Sequence, residues 1–169
     1  MTQGPDSFST LTQPLITQFN SFCNEYELIG VVQADHICIK CSSSSVYEAR
    51  RKEFESLSSF IYQSIISNRR ISVIGINNSI ETVVGDIKYV ELSDQKPDGS
   101  QVDCVDHIEI IPVTISYQEL VTLLQNKNVE MKEIIRPHHS TYDIKLPSGF
   151  TIKLSREFLV DKIKRDEML

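Results

Sequence analysis

Two spacings of apolar residues alternate along the chain, and each change from one to the other marks an element. Leu15, Phe19, Phe22 and Tyr26 recur at helical spacing, with Pro14 suited to a first helical turn and Gly30 to a stop. A helix is therefore predicted after a loose polar tail at residues 2–10. Residues 31–41 are rich in β-branched side chains and predict a strand, closed by the serine run at 42–45. Ser45-Val46-Tyr47-Glu48 has the S-x-x-E form of a helix cap, in which serine and glutamate satisfy each other's exposed backbone donors. Val46, Ala49, Phe54, Leu57, Phe60, Ile61 and Ile65 then predict an amphipathic helix to about Ser67. Strands follow at 71–76, around 81–84 and at 87–93, separated by Asn77-Asn78 and Gly85-Asp86 turns.

The second half repeats this order. Asp35-His36-Ile37-Cys38-Ile39 returns as Asp106-His107-Ile108-Glu109-Ile110, an offset of 71 residues, and Ser45-x-x-Glu48 returns as Ser116-x-x-Glu119 at the same offset. Strands are predicted at 105–113, 129–135, 142–146 and 150–155, and an amphipathic helix at 156–164 buries Phe158, Leu159 and Ile163. The closing strands echo each other as Val90-Glu91-Leu92-Ser93 and Ile152-Lys153-Leu154-Ser155. The fold class expected is α+β: two βαβββ modules forming a curved eight-stranded mixed sheet around a cavity, with added N- and C-terminal helices. Its divisions fall at 1–30 (tail and first helix), 31–94 (first module), 95–104 (turn-rich connection), 105–155 (second module) and 156–169 (last helix).

Composition narrows the partners. A 169-residue chain buries about 70% of its unfolded surface, so neither disulfides nor a structural metal is required. A net charge of -6, from 17 basic and 23 acidic residues, speaks against nucleic acid and anionic membranes. Residues 1–9 lack the features of a secretory signal and no apolar run has membrane-spanning length, which predicts a cytoplasmic protein. In that setting Cys23, Cys38, Cys41 and Cys104 read as reduced thiols. Cys38-x-x-Cys41 is a lone pair whose thiols, two-residue alternation being the rule, point to opposite faces of a strand.

Alternation also groups the chemistry. His36 shares a face with Cys38 and Lys40, and His107 shares one with Glu109, while the intervening isoleucines face away toward the helices. Glu91 and Lys153 hold matching places on the closing strands. A cavity lined by His36, Glu91 and His107 offers two imidazoles and a carboxylate, a set that suits zinc, iron, nickel or manganese with positions left for water and substrate. Glu109 reads as a fourth ligand or a general base. His138 and His139 fall in a turn, as solvated residues or as a lid. Arg69 reads as an anion-binding group or a helix-end cation.

The βαβββ repeat with a histidine on each opening strand resembles the vicinal oxygen chelate superfamily, which includes glyoxalase I, extradiol dioxygenases, and fosfomycin and bleomycin resistance proteins. More closely, Ala34-Asp35-His36-Ile37, Asn68-Arg69-Arg70-Ile71, Val90-Glu91-Leu92, His107-Ile108-Glu109-Ile110 and Thr151-Ile152-Lys153 resemble the YecM-like family, over about residues 31–163. The resemblance implies a metal-dependent enzyme acting on a small molecule with adjacent oxygens, its ligands supplied by both opening and both closing strands. His36, Glu91 and His107 match three of those four positions, and Lys153 replaces the usual fourth glutamate. Lys153 then either pairs with Glu91, leaving a metal-free binding cavity, or points at substrate and holds an anionic oxygen. The implied partner is a small-molecule substrate or ligand, on a monomer or homodimer.

Overall fold

A computed structural model describes residues 5–135, 137 and 140–167, with side chains described for residues 8–135, 137 and 140–166. His138 and His139 lie outside the described residues. The elements are α1 (Pro5–Glu25), β1 (Val32–Lys40), α2 (Ser44–Glu55), β2 (Ser58–Ile66), β3 (Arg69–Ile80), β4 (Ile87–Ser93), β5 (Cys104–Pro112), α3 (Tyr117–Asn126), β6 (Lys132–Ile135), β7 (Ser140–Lys145), β8 (Thr151–Leu154) and α4 (Leu159–Glu167).

One eight-stranded sheet runs β2-β3-β4-β1-β5-β8-β7-β6 and does not close on itself. Each closing strand returns parallel to its own opening strand, β4 to β1 and β8 to β5, and the two halves meet where β1 and β5 pair antiparallel. Ile37, Val90, Ile108 and Ile152 turn to the same side and join the core with Tyr47 and Phe54 of α2, Leu120 and Leu124 of α3, and Phe19 and Phe22 of α1. Burying that side leaves the other, polar rows of the same strands as one continuous face.

Several boundaries differ from the sequence reading, each for a local reason. Residues 5–10 are helical rather than a tail, so Pro14 lies inside α1. Its missing N–H leaves a gap in the ladder, and Thr12 and Thr17 back-bond to Phe8 and Gln13 carbonyls in the adjoining turns. The helix capped in the first module starts two residues earlier than expected, its cap being Ser43 instead of Ser45. Ser43, in extended backbone, accepts from the Val46 N–H, and no carboxylate reciprocates. Ser116 does form the full capping box with Glu119, each bonding the other's backbone N–H at 3.1 and 2.7 Å.

The largest difference is at 57–67, where a strand replaces the second half of the expected helix. Leu57, Phe60, Ile61 and Ile65 have helical spacing, but Ser67 and Asn68 both adopt positive φ, 52° and 60°, the signature of a two-residue hairpin turn. That turn folds β2 onto β3 from Ser58↔Ile76 to Ile66↔Arg69. Residues 81–84, expected as a strand, instead form a turn: Thr82 Oγ1 donates to the Gly85 carbonyl at 2.6 Å, and the Val83 N–H docks on Asn20 Oδ1 of α1. Eight strands remain because β2 takes the place of that segment. In the second half β6 is short, starting at Lys132, and α4 starts at Leu159 instead of Arg156.

Gln101 ties the connection between the halves to the strand ends. Its side-chain N–H groups share the carbonyls of Cys41, Asp94 and Ser93 at 2.8, 2.9 and 3.1 Å, and its Oε1 accepts from Arg69 Nη1 at 2.8 Å. Arg69 is thereby committed to this knot, neither a helix-end cation nor a group on the polar face.

Candidate functional site

Adjacent residues of a regular strand point to opposite sides, yet Asp35 and His36 lie together, as do Asp106 and His107. Irregular pairing of β1 with β5 is the cause. Ala34↔Ile110 is followed by Ile37↔Ile108, so Asp35 and His36 both oppose Glu109. Cys38↔His107 is followed by Ile39↔Val105, which leaves Asp106 as the extra residue on β5. Such bulges re-aim a side chain and let two consecutive residues serve one side. Each histidine therefore donates its Nδ1–H to the preceding aspartate, at 2.9 Å in His36–Asp35 and 2.8 Å in His107–Asp106.

Fixing Nδ1–H in this way presents Nε2 as the free nitrogen, the arrangement by which carboxylates orient metal-binding imidazoles. The aspartates are held in turn. Asp35 Oδ2 also accepts from the Leu159 N–H, 2.9 Å away at the start of α4, and Asp106 pairs with Lys40 Nζ at 2.8 Å. Asp35 and Asp106 were visible in the repeated strand but carried no expected role, because strict alternation sends them to the far side. The repeated Asp-His dipeptide was the signal available for finding them.

The two Nε2 atoms face the acids. His36 Nε2 lies 3.8 Å from Glu91 Oε2 and 3.9 Å from Glu109 Oε1, and His107 Nε2 lies 3.8 Å from the same Glu109 oxygen. The rings cross edge-to-face with centroids 6.0 Å apart. Ligand atoms of His36, Glu91 and His107 fall within 4.8 Å of one another, and Asp35, His36 and Glu109 form a second overlapping group. Each glutamate has one oxygen restrained and one free. Cys38 Sγ–H donates to Glu91 Oε1 at 3.3 Å, and Ser155 Oγ donates to Glu109 Oε2 at 2.5 Å. Burial first, then the charges of Glu91 and Asp106, push the Cys38 thiol well above its ordinary range, so it serves as a neutral donor. Cys41 belongs to the core on the other side of the strand, and no cysteine forms a disulfide among the described residues.

Lys153 sits in register with Glu109 on one side and Asp143 on the other. Among the described residues no carboxylate lies within 4.0 Å of its ammonium, so the expected alternative of a Lys153–Glu91 pair is not formed; Glu91 is held by Cys38. The ammonium is close enough to help lower the ionisation of His107 and Glu109. On the polar side of the sheet His36 is fully buried and His107 is 5% exposed.

Burial opposes a charge on His36, but Glu109, the Asp35 hydrogen bond and Glu91 outweigh it and raise its ionisation to about 9. Burial dominates at His107 and lowers it. Glu109 is held below the ordinary carboxylate range: desolvation works against its charge, and His36, His107 and the Ser155 hydroxyl prevail. An unfolded histidine titrates near 6.5, so the raised His36 gives the metal-free fold a stabilisation present in full below that pH and lost as pH rises through about 9. Urea midpoints of metal-free protein should fall between pH 7 and 9, and His36→Gln should flatten that decline.

This arrangement, paired βαβββ modules on one open mixed sheet, is the glyoxalase-like fold. The chain belongs to the YecM family, whose model, described as YecM protein, matches residues 11–159. Among solved structures, the structural-genomics protein EC4020 superposes with a TM-score of 0.64 at 18% identity, covering 95% of this chain and 93% of that one. Hydroxyglutarate synthase from Oryza sativa, solved in complex with 2-oxoadipate, gives 0.53 at 8% identity over 94% and 82% of the two chains. A methylmalonyl-CoA epimerase in complex with methylmalonyl-CoA and NH4+ gives 0.48 at 16% identity over 77% and 97%. A comparison with curated proteins finds no match. Among the described residues no helix is long and apolar enough to cross a membrane.

Proposed function

We propose that this protein is a metal-dependent small-molecule enzyme of the vicinal oxygen chelate type, with His36, His107 and Glu91 holding a divalent ion. The observation that carries the reading is His36 Nε2: a fully buried nitrogen without a hydrogen-bond partner, aimed between two carboxylates and within ligand spacing of a second oriented imidazole. Orphaned buried polar atoms are costly, and a metal bond satisfies this one. Ligand bonds of about 2.0–2.2 Å fit donors about 3 to 4 Å apart. Two nitrogens and a carboxylate suit zinc, iron, nickel or manganese alike.

A bound ion supplies Lewis acidity toward an oxygen-bearing substrate. The chain's own groups do the rest. Asp35 and Asp106 keep both Nε2 lone pairs turned inward. Glu109, with Oε2 fixed by Ser155, keeps Oε1 free as the general base, and its lowered ionisation leaves it deprotonated at neutral pH. Lys153, with no carboxylate within 4.0 Å among the described residues, is the partner for an anionic substrate oxygen.

A metal-free ligand-binding protein of the same fold is the competing reading, and one observation favours it: a charged His36 finds its own counter-charges in Glu91 and Glu109. Metal analysis of protein purified without chelators separates the two. The proposal expects about one divalent ion per chain and a melting temperature raised by zinc, manganese, nickel or iron. Absence of bound metal, together with no thermal response to any of the four, refutes it.

A further inference from the structure

Helices α1, α2 and α3 build the core on one side of the sheet, and α4 does not join them. Phe158, Leu159, Val160 and Ile163 are half-buried, yet none belongs to that core or packs against it. The segment leading into α4 shows where it goes instead. Ser155, just past β8, donates its hydroxyl to Glu109 Oε2 at 2.5 Å, and four residues later the Leu159 N–H donates to Asp35 Oδ2 at 2.9 Å. Glu109 lies on β5 and Asp35 on β1, so the chain steps across β5 from one carboxylate of the site to another. Two strand spacings are about 10 Å, and four residues reach at most about 14 Å. The crossing leaves little slack.

The two ends of this crossing are held unequally. The root is fixed twice, by Ser155 and by the Arg156 guanidinium, which lies 4.0 Å over the Tyr117 ring of α3. Among the described residues α4 has one hydrogen bond to the sheet, that of Leu159, while Arg165 pairs within the segment, with Glu157 and Asp166. A helix of nine residues does not hold itself in water, so α4 depends on this docking.

The acceptor is part of the site. Asp35 Oδ2 is the same oxygen that takes the Nδ1–H of His36 at 2.9 Å, and Asp35 is 4% exposed. Its counterpart in the second module, Asp106, is held inside the sheet by Lys40 Nζ at 2.8 Å. Only the His36 half of the site therefore relies on the C-terminal segment to fix the group that orients its imidazole.

We infer that α4 is a strap latched on Asp35, and that closing this latch and filling the site at His36 favour each other. The inference rests on the metal reading above and adds a regulation to it. A latched strap fixes the Asp35 carboxylate, which keeps His36 Nε2 turned inward. A released strap leaves that buried carboxylate one donor short and the imidazole free to turn. Groups that orient a ligand are worth about 10- to 100-fold in metal affinity, and linkage makes the effect reciprocal: the factor that latching adds to metal binding, metal adds to latching. The YecM match ends at residue 159, where α4 begins, so the helix lies beyond the matched residues.

The test is hydrogen exchange of α4 in the full chain, metal-free and with zinc, beside zinc affinity measured by competition with a chelator. Leu159→Pro removes the donor at the first helical position, which proline tolerates. Leu159→Ala trims the side chain but keeps the N–H. Zinc should slow α4 exchange about tenfold in wild type and in Leu159→Ala, and less than about twofold in Leu159→Pro. Leu159→Pro should also bind zinc about tenfold more weakly than Leu159→Ala. Exchange in β2 and β3, alike in all three proteins, reports an intact sheet.

Zinc that binds wild type without slowing α4 overturns the inference, as do proline and alanine variants that respond to zinc and bind it alike. Both results leave the metal assignment standing. If zinc does not bind at all, the metal assignment falls and the coupling falls with it. The wild-type comparison needs no variant, so it decides the matter even where proline disturbs the sheet.

Discussion

Replacing His36 with alanine should reduce divalent-metal affinity by at least about 100-fold, because altering only the groups that orient a ligand costs 10- to 100-fold and this change removes the ligand itself. His107→Ala should behave alike. The two will differ in what they do to the metal-free fold. His36 is fully buried and its removal leaves Asp35, 4% exposed, with only the Leu159 N–H, while Asp106 keeps Lys40 when His107 is lost. Stranding a buried carboxylate costs about 3 kcal/mol, so metal-free His36→Ala should melt below metal-free His107→Ala. Metal content after dialysis and melting with and without added zinc provide the readout. Wild-type occupancy in both variants would remove these residues from any metal site.

The largest loss of stability should come from a residue with no part in the chemistry. Gln101→Ala deprives the Cys41, Ser93 and Asp94 carbonyls and the Arg69 guanidinium of a shared partner in a region that is 6% exposed at Gln101 itself. The Ser93 carbonyl keeps the Cys41 N–H and the Asp94 carbonyl keeps the Ser93 hydroxyl, so the Cys41 carbonyl and the Arg69 guanidinium lose most; at about 1–3 kcal/mol for each orphaned buried group a total of about 3 kcal/mol is expected, or roughly 6–12 °C in melting temperature for a chain of this size. Denaturation by urea and heat measures it directly. A shift under 1 kcal/mol would show that water or neighbouring side chains replace the amide.

What could be read beforehand divides along a physical line. The repeat offset, the paired modules and the inward-facing His36, Glu91, His107, Glu109 and Lys153 follow from period-two patterning and one duplicated order, both properties of linear sequence. β2 was lost to the helical spacing of Leu57, Phe60 and Ile61, since an edge strand buries too little of either side to impose alternation. The roles of Asp35 and Asp106 were hidden because a bulge is a property of two strands together. Ser155 and Cys38, which hold the glutamates, depend on cross-strand distances that no single segment encodes.

The mismatch between Glu91 and Lys153 on the closing strands has a further consequence. Two modules related by a repeat build a nearly two-fold frame, and a ligand placed on a truly two-fold frame binds equally well in either direction. Here one end meets a carboxylate and the other an ammonium, while Glu109 stands on a single side. On the proposed reading a bound small molecule has one permitted orientation and shows one face to the base. Handedness of the substrate would then be set where the two halves of the chain have diverged, at Glu91 against Lys153 and at Cys38 against Glu109.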